Sequence, residues 1–212
     1  MTDNWDHVKN LAQEPPLDFS FKNVNFIQDL TSEEPRIGLR PVKRSKEGKS
    51  LTQALRINNN VLNDLNDFTQ TLSQLLEQPQ NLAWIDLSFN DLANIDPVLT
   101  TFSNLSVLYL HGNCIHHLPE VDKLSSLPKL RSLTLHGNPI EEEKGYRSKN
   151  VKTSSWRSFY HFEPLLLLSL QRYLVNFKAV QEVGGWHGKD KDRRAGARMD
   201  RCPLWRVANQ NK

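Results

Sequence analysis

The sequence predicts an α/β repeat solenoid, a curved coil with parallel strands on its concave side and helices and 3₁₀ turns on its convex side. Three observations carry that reading. The frame LxxLxLxxNxL recurs with Asn60, Asn90, Asn113 and Asn138 at the same step. Those asparagines lie 30, 23 and 25 residues apart, within the roughly 20–50-residue periods that mark repeat solenoids. Between them, the apolar positions switch from an alternation of two to helical spacing.

The frame justifies each strand. The second copy sets Leu82, Ile85, Leu87, Asn90 and Leu92. The third sets Leu105, Leu108, Leu110, Asn113 and Ile115, and the fourth Leu130, Leu133, Leu135, Asn138 and Ile140. The first opens on Thr52 in place of leucine and continues Leu55, Ile57, Asn60, Leu62. Leucines at alternate positions of a short strand point into the coil, so the residues between them point outward. The asparagine stands where the chain turns away. Its amide both donates and accepts, which suits backbone groups that the turn leaves unpaired. Four copies exceed the roughly three needed to bury a shared core.

The convex connections differ in length. Leu65, Phe68, Leu72 and Leu75 or Leu76 recur at helical spacing before Pro79, which predicts a helix in the long first interval. The segments 97–105 and 120–130 are long enough for one short helical or 3₁₀ turn each. Before the first copy, residues 14–21 with Val24, Phe26, Ile27 and Leu30 supply apolar groups for a cap over the first coil, which a solenoid end requires. The basic run 36–50 holds Arg36, Arg40, Lys43, Arg44, Lys46 and Lys49. Solvated loop is its plainest reading; a partner-docking strip or a localisation signal are the alternatives. The expected organisation is an N-terminal extension and cap over 1–50, the solenoid over 51–147, and a basic tail over 148–212.

The outward strand positions form three columns: Ala54, Trp84, Val107, Ser132; then Arg56, Asp86, Tyr109, Thr134; then Asn58, Ser88, His111, His136. Trp84 and Tyr109 fall diagonally adjacent, and exposed Trp and Tyr dominate binding energy at interfaces. The expected partner-binding residues are therefore Arg56, Trp84, Asp86, Tyr109, His111 and His136, with Arg56 and Asp86 paired across coils. The alternative is that a terminal segment of the chain itself covers the two rings. His111 and His136 suggest a pH-sensitive edge. They do not suggest a metal, because no Cys or carboxylate completes a tetrahedral set with them and the nearby His116 and His117. No cofactor is expected.

Composition bounds the function. The net charge of +3 conceals an asymmetry: residues 1–146 hold 13 Lys+Arg against 19 Asp+Glu, and residues 147–212 hold 14 against 5. Two cysteines, Cys114 and Cys202, make no disulfide framework, the N-terminus lacks an apolar signal core, and the longest apolar run is Pro164 to Leu170. Cytoplasmic localisation without membrane insertion is the expectation, with monomer as the default state. Glycine-rich phosphate loops, nucleophile elbows and activated cysteines are missing from the sequence, so an enzyme is not expected. The expected function is a protein–protein scaffold or adaptor. The alternative is association with nucleic acid or ribonucleoprotein through the basic tail, where Trp156, Trp186 and Trp205 would stack on bases.

The segments NLAWIDLSFNDL, NLSVLYLHGN and LRSLTLHGNPIEEEKGYR, with QEPPLDFSF and EEPRIGLRPVKRSKEGKS before them, resemble the short, helix-backed family of leucine-rich-repeat proteins. That family includes regulators of protein phosphatase-1, an axonemal dynein light chain and a spliceosomal A-prime protein. The resemblance runs from about Gln13 to Arg147. It implies a non-enzymatic solenoid, and the wider class implies ciliary or axonemal assembly as a setting. Family members close with NPxxxxxxYR, an apolar helix and a final LPxLxxLD strand. Here Asn138, Pro139, Tyr146 and Arg147 keep the opening, and the rest departs. The family's C-terminal cap is therefore expected to be incomplete: either the tail supplies a substitute, for which Trp156, Phe159, Phe162 and a helix over 164–183 are the candidates, or the solenoid is marginal in stability, with disorder expected beyond residue 183.

Overall fold

The computed structural model describes residues 14–146. The expected substitute cap, the helix 164–183 and the three tail tryptophans lie outside the described residues.

Five short strands form one parallel sheet in chain order: β1 (Leu17–Asp18), β2 (Ala54–Arg56), β3 (Trp84–Asp86), β4 (Val107–Tyr109) and β5 (Ser132–Thr134). Their register sets the inward leucines in one row, with Leu17 opposite Leu55, Leu55 opposite Ile85, Ile85 opposite Leu108 and Leu108 opposite Leu133. Parallel strands need a crossover between them. Here each crossover is the convex arm of one coil. The first is the 3₁₀ turn Ile27–Thr31, the second is helix α1 (Phe68–Leu75), and the others are 3₁₀ turns at Pro97–Thr101 and Leu118–Ser126.

Helix α1 buries Phe68, Thr71 and Leu72. Leu76, just past its end, is extended and fully buried, whereas Leu75 is half-buried. The ambiguity between those two leucines resolves this way because the chain leaves helical geometry after Leu75. Phe68 meets Phe102 of the next coil edge-to-face, centroids 5.7 Å apart, a favoured geometry for aromatic pairs.

The N-terminal cap is itself a coil. Residues Leu17–Asp18 add the first strand, Phe19 and Val24 continue the inward row, and the turn Ile27–Thr31 buries Ile27 and Leu30 on the convex side. Phe26, expected to join this cap, is instead 61% exposed. It precedes the 3₁₀ turn in extended conformation, and the turn directs Ile27 and Leu30 inward in its place. The outer edge of β1 is partly closed by Arg36, whose amide donates to the Asp18 carbonyl at 2.6 Å.

The asparagines bind the coils together. Each Nδ2 donates to the carbonyl three residues earlier in its own coil and to the matching carbonyl of the preceding coil. Asn90 reaches Leu87 and Ile57, Asn113 reaches Leu110 and Leu87, and Asn138 reaches Leu135 and Leu110, all at 2.9–3.0 Å. Each Oδ1 accepts from an amide of the preceding coil: Leu62, Leu92 and Ile115 respectively. Asn60 does the same toward the cap, through the Phe19 carbonyl and the Lys22 and Val24 amides. The ladder thus runs through backbone groups and not from one asparagine to the next.

Removing one such amide strands several buried backbone groups, and each unsatisfied group costs about 1–3 kcal/mol. Asn90→Ala is expected to lower unfolding free energy by about 3 kcal/mol in urea titration. Asn94→Ala, at an exposed site in the same coil, should stay within about 0.5 kcal/mol of the parent.

Candidate protein-binding face

The strand face carries the outward columns, and the register fixes their neighbours. Trp84 lies beside Ala54 and Val107, and Asp86 lies beside Arg56 and Tyr109. The second column begins one strand earlier than the frame implied, because Asp18 of the cap stands opposite Arg56.

Arg56 is the centre of the charged end. Its Nη1 lies 3.4 Å from Asp18 Oδ2 and its Nε 3.8 Å from Asp86 Oδ2. Its guanidinium carbon sits 5.1 Å from the Trp84 ring centroid, within cation–π range. Both carboxylates are locally fixed. Asp18 Oδ1 accepts from the Ser20 amide at 2.8 Å; Asp86 Oδ1 accepts from the Ser88 amide at 3.1 Å and its hydroxyl at 2.6 Å. The same Asp-x-Ser unit therefore occurs at the same step of two coils. Asp86 was expected to be an exposed partner of Arg56 that sets binding register. It is 7% exposed, and burial raises its pKa against the lowering effect of Ser88 and Arg56. It lies beside the Arg56 guanidinium, largely withdrawn from solvent.

Trp84 and Tyr109 are half-buried and meet edge-to-face at 6.0 Å. Tyr109 continues to His111 at 6.0 Å, and His111 stacks on His136 at 4.5 Å with the planes 16° apart. The result is one aromatic strip running diagonally across three strands. Arg56 contacts Trp84 at one end and the stacked imidazoles back the other, so each ring of the strip has a neighbour that restrains it. Fixed side chains lose less entropy on binding.

Phe89 belongs to this strip and was missed by sequence reasoning. Its ring meets His111 edge-to-face at 5.1 Å. The residue before each ladder asparagine is left-handed: Asn59, Phe89, Gly112 and Gly137 have φ of 56°, 53°, 68° and 71°. Phenylalanine rarely adopts that conformation. The available signal was Phe89 itself, an aromatic in a slot that two other copies fill with glycine. Its ring lies over Gly112, where an added Cβ would come within 2.6 Å of Phe89 Cδ1. Gly112→Ala is accordingly expected to destabilise the fold by about 1–3 kcal/mol by thermal melting, and Phe89→Ala in the same chain should recover only the part owed to the ring.

The imidazoles do not form the expected pH-sensitive edge. Burial, with the His136 charge adding to it, lowers the His111 pKa to about 3, and burial also lowers that of His136. His111 Nδ1 lies 2.8 Å from Thr134 Oγ1. The ring is neutral across the range in which an ordinary histidine switches. The consequence is for stability. Below about pH 6.5 the unfolded chain binds a proton at His111 that the folded chain refuses, so stability falls as pH drops from there toward about 3, by about 1.4 kcal/mol per unit. Comparing urea unfolding at pH ~7 and ~5, the parent should lose about 2 kcal/mol more than His111→Gln.

Among the described residues, no group of three or more His, Cys, Asp or Glu side chains is placed to hold a metal ion. His116 Nδ1 contacts the Cys114 carbonyl at 2.7 Å, while His117 faces Glu143 at 3.5 Å. No helix of the described residues is long and apolar enough to cross a membrane.

A family model described as leucine rich repeat matches residues 80–140. Leucine-rich repeat-containing protein 51 of Rattus norvegicus is 76% identical over 142 residues, which cover 67% of this chain and 74% of the relative. The Homo sapiens protein of that name is 68% identical over 157 residues, covering 74% of this chain and 82% of the relative. The chain belongs to the leucine-rich repeat-containing protein 51 family. A solved Drosophila melanogaster SNF/U2A′ complex contains a chain that matches 76% of this one along 99% of its own length, with 18% identity and a TM-score of 0.47. The family's repeat signature thus coincides with the coils whose strands carry the aromatic strip.

Proposed function

We propose that the protein is a non-enzymatic scaffold that captures a protein partner on its strand face, with Trp84 and Tyr109 as anchors. The fixed aromatic strip is the observation that carries this reading. Large, immobilised aromatic rings on an open face are the residue types that dominate protein interfaces, and the Arg56 guanidinium beside them supplies a directional charge. Family membership supports the same class, since leucine-rich repeats serve as interaction modules. The reading places the protein in the cytoplasm, in assembly of a larger complex; ciliary or axonemal complexes are the setting that the family resemblance favours.

Association with nucleic acid through the basic tail remains the second class. Against it, residues 52–146 hold 5 Lys+Arg and 11 Asp+Glu, a balance that repels phosphate.

The test is affinity capture from ciliated-tissue extract with the full chain as bait. Trp84→Ala with Tyr109→Ala should reduce recovery of the parent's partner by about tenfold or more while leaving the melting transition cooperative. Undiminished recovery by a folded double variant contradicts the site. Retention on RNA that falls steeply with salt and ignores both substitutions would favour the second class.

A further inference from the structure

The large apolar side chains that stand exposed among the described residues lie in one part of the chain: Phe21, Phe26, Ile37, Leu39 and Leu51. Two of them are extreme. Ile37 is 97% exposed and Leu39 107% exposed, so nothing in the described protein shields either. They sit one residue apart at the tip of a loop that also carries the basic run. Residues 36–49 hold six Lys+Arg and one Glu, whereas the repeats over 52–146 are net negative.

The base of this loop is anchored. The Arg36 amide bonds the Asp18 carbonyl at 2.6 Å, and the Arg36 guanidinium lies 5.7 Å from the Phe21 ring centroid. Past the tip, a small hairpin closes through the antiparallel bridge of Arg44 and Ser50 and the Leu51 amide to the Lys43 carbonyl at 2.9 Å. Lys49 Nζ reaches the Ser73 carbonyl at 2.8 Å, at the C-terminal half of helix α1, and Arg44 Nη1 the Gly48 carbonyl at 2.8 Å. Lys43 pairs with Glu14 at 2.5 Å. The loop is therefore held at both ends, and its two exposed aliphatic side chains lie in a segment rich in cations.

We propose that this loop is a peripheral membrane-docking element, which seats Ile37 and Leu39 among the acyl chains of an anionic bilayer while the basic residues contact lipid headgroups. Charge complementarity selects an anionic surface. The chemistry of the tip selects lipid over the other anionic surfaces. Nucleic acid is held by aromatic stacking, and the tip side chains are aliphatic. A stable protein interface buries on the order of 800 Å² on each partner, more than two aliphatic side chains flanked by cations offer. A bilayer needs no such area to take up single side chains. Ile37 and Leu39 lie outside the strands, so membrane docking does not use Trp84 or Tyr109.

Sedimentation of the full chain with vesicles tests this. The protein should pellet with phosphatidylcholine vesicles that contain about one-third phosphatidylserine and not with phosphatidylcholine alone, and raised salt should weaken it. Ile37→Ser with Leu39→Ser should reduce partitioning by about tenfold or more; both sites are exposed, and an unchanged melting transition verifies the fold. Trp84→Ala with Tyr109→Ala should leave partitioning unaltered. No binding to anionic vesicles overturns the proposal. So does binding that the Ile37 and Leu39 substitutions leave intact, because charge elsewhere, including residues 147–212, then suffices. Equal binding to neutral vesicles overturns the anionic selection.

Discussion

The primary amide of the ladder asparagine is the interaction on which this structure rests. A coil with one three-residue strand and an irregular return path cannot pair all of its own backbone. The carbonyls and amides at the turn after the strand face the interior, where an unpaired group is costly. One asparagine meets this need on both sides of an interface between coils, for example Leu87 and Ile57 by donation and Leu62 by acceptance. No other side chain of that length offers both functions at that geometry. Asn60 extends the arrangement to the cap through Phe19, Lys22 and Val24, which makes the first fifth of the solenoid continuous with the rest.

That constraint reaches the surface. By fixing where each coil turns, the ladder holds the strands in register, and the register sets Arg56 beside Trp84 and Asp86, and Tyr109 beside Asp86 and Thr134. The aromatic strip is then held by its own contacts: the guanidinium at Trp84, the edge-to-face pair and the stacked imidazoles. The proposed recognition lies on the outward side of strands whose inward side forms the core. The inward leucines supply burial, and several outward residues, Asp86 and Ser88 among them, are buried as well.

The repeats and the outward columns were legible in the sequence because both follow from a period of two hung on a fixed asparagine. The cap strand was less so. Lys22 stands where a ladder asparagine would mark the coil, and the pairing of Leu17 with Leu55 had no frame to announce it. Asp18 went unnoticed for the same reason, although the repeated Asp-x-Ser unit with Asp86 was present to be read. Burial of Asp86 and the neutrality of His111 were not legible at all. Both depend on how tightly neighbouring coils pack over an outward position, which a column of letters does not contain. Phe89 was visible only as an exception, an aromatic in a slot that a left-handed turn reserves for Gly or Asn.

Amide hydrogen exchange resolved at single residues measures the central claim directly. The amides of Leu62, Leu92 and Ile115, each received by an asparagine of the following coil, should be among the slowest in the chain, and Asn90→Ala should release Leu62 first. Exchange of Leu62, Leu92 and Ile115 as fast as that of exposed loop amides would contradict the account.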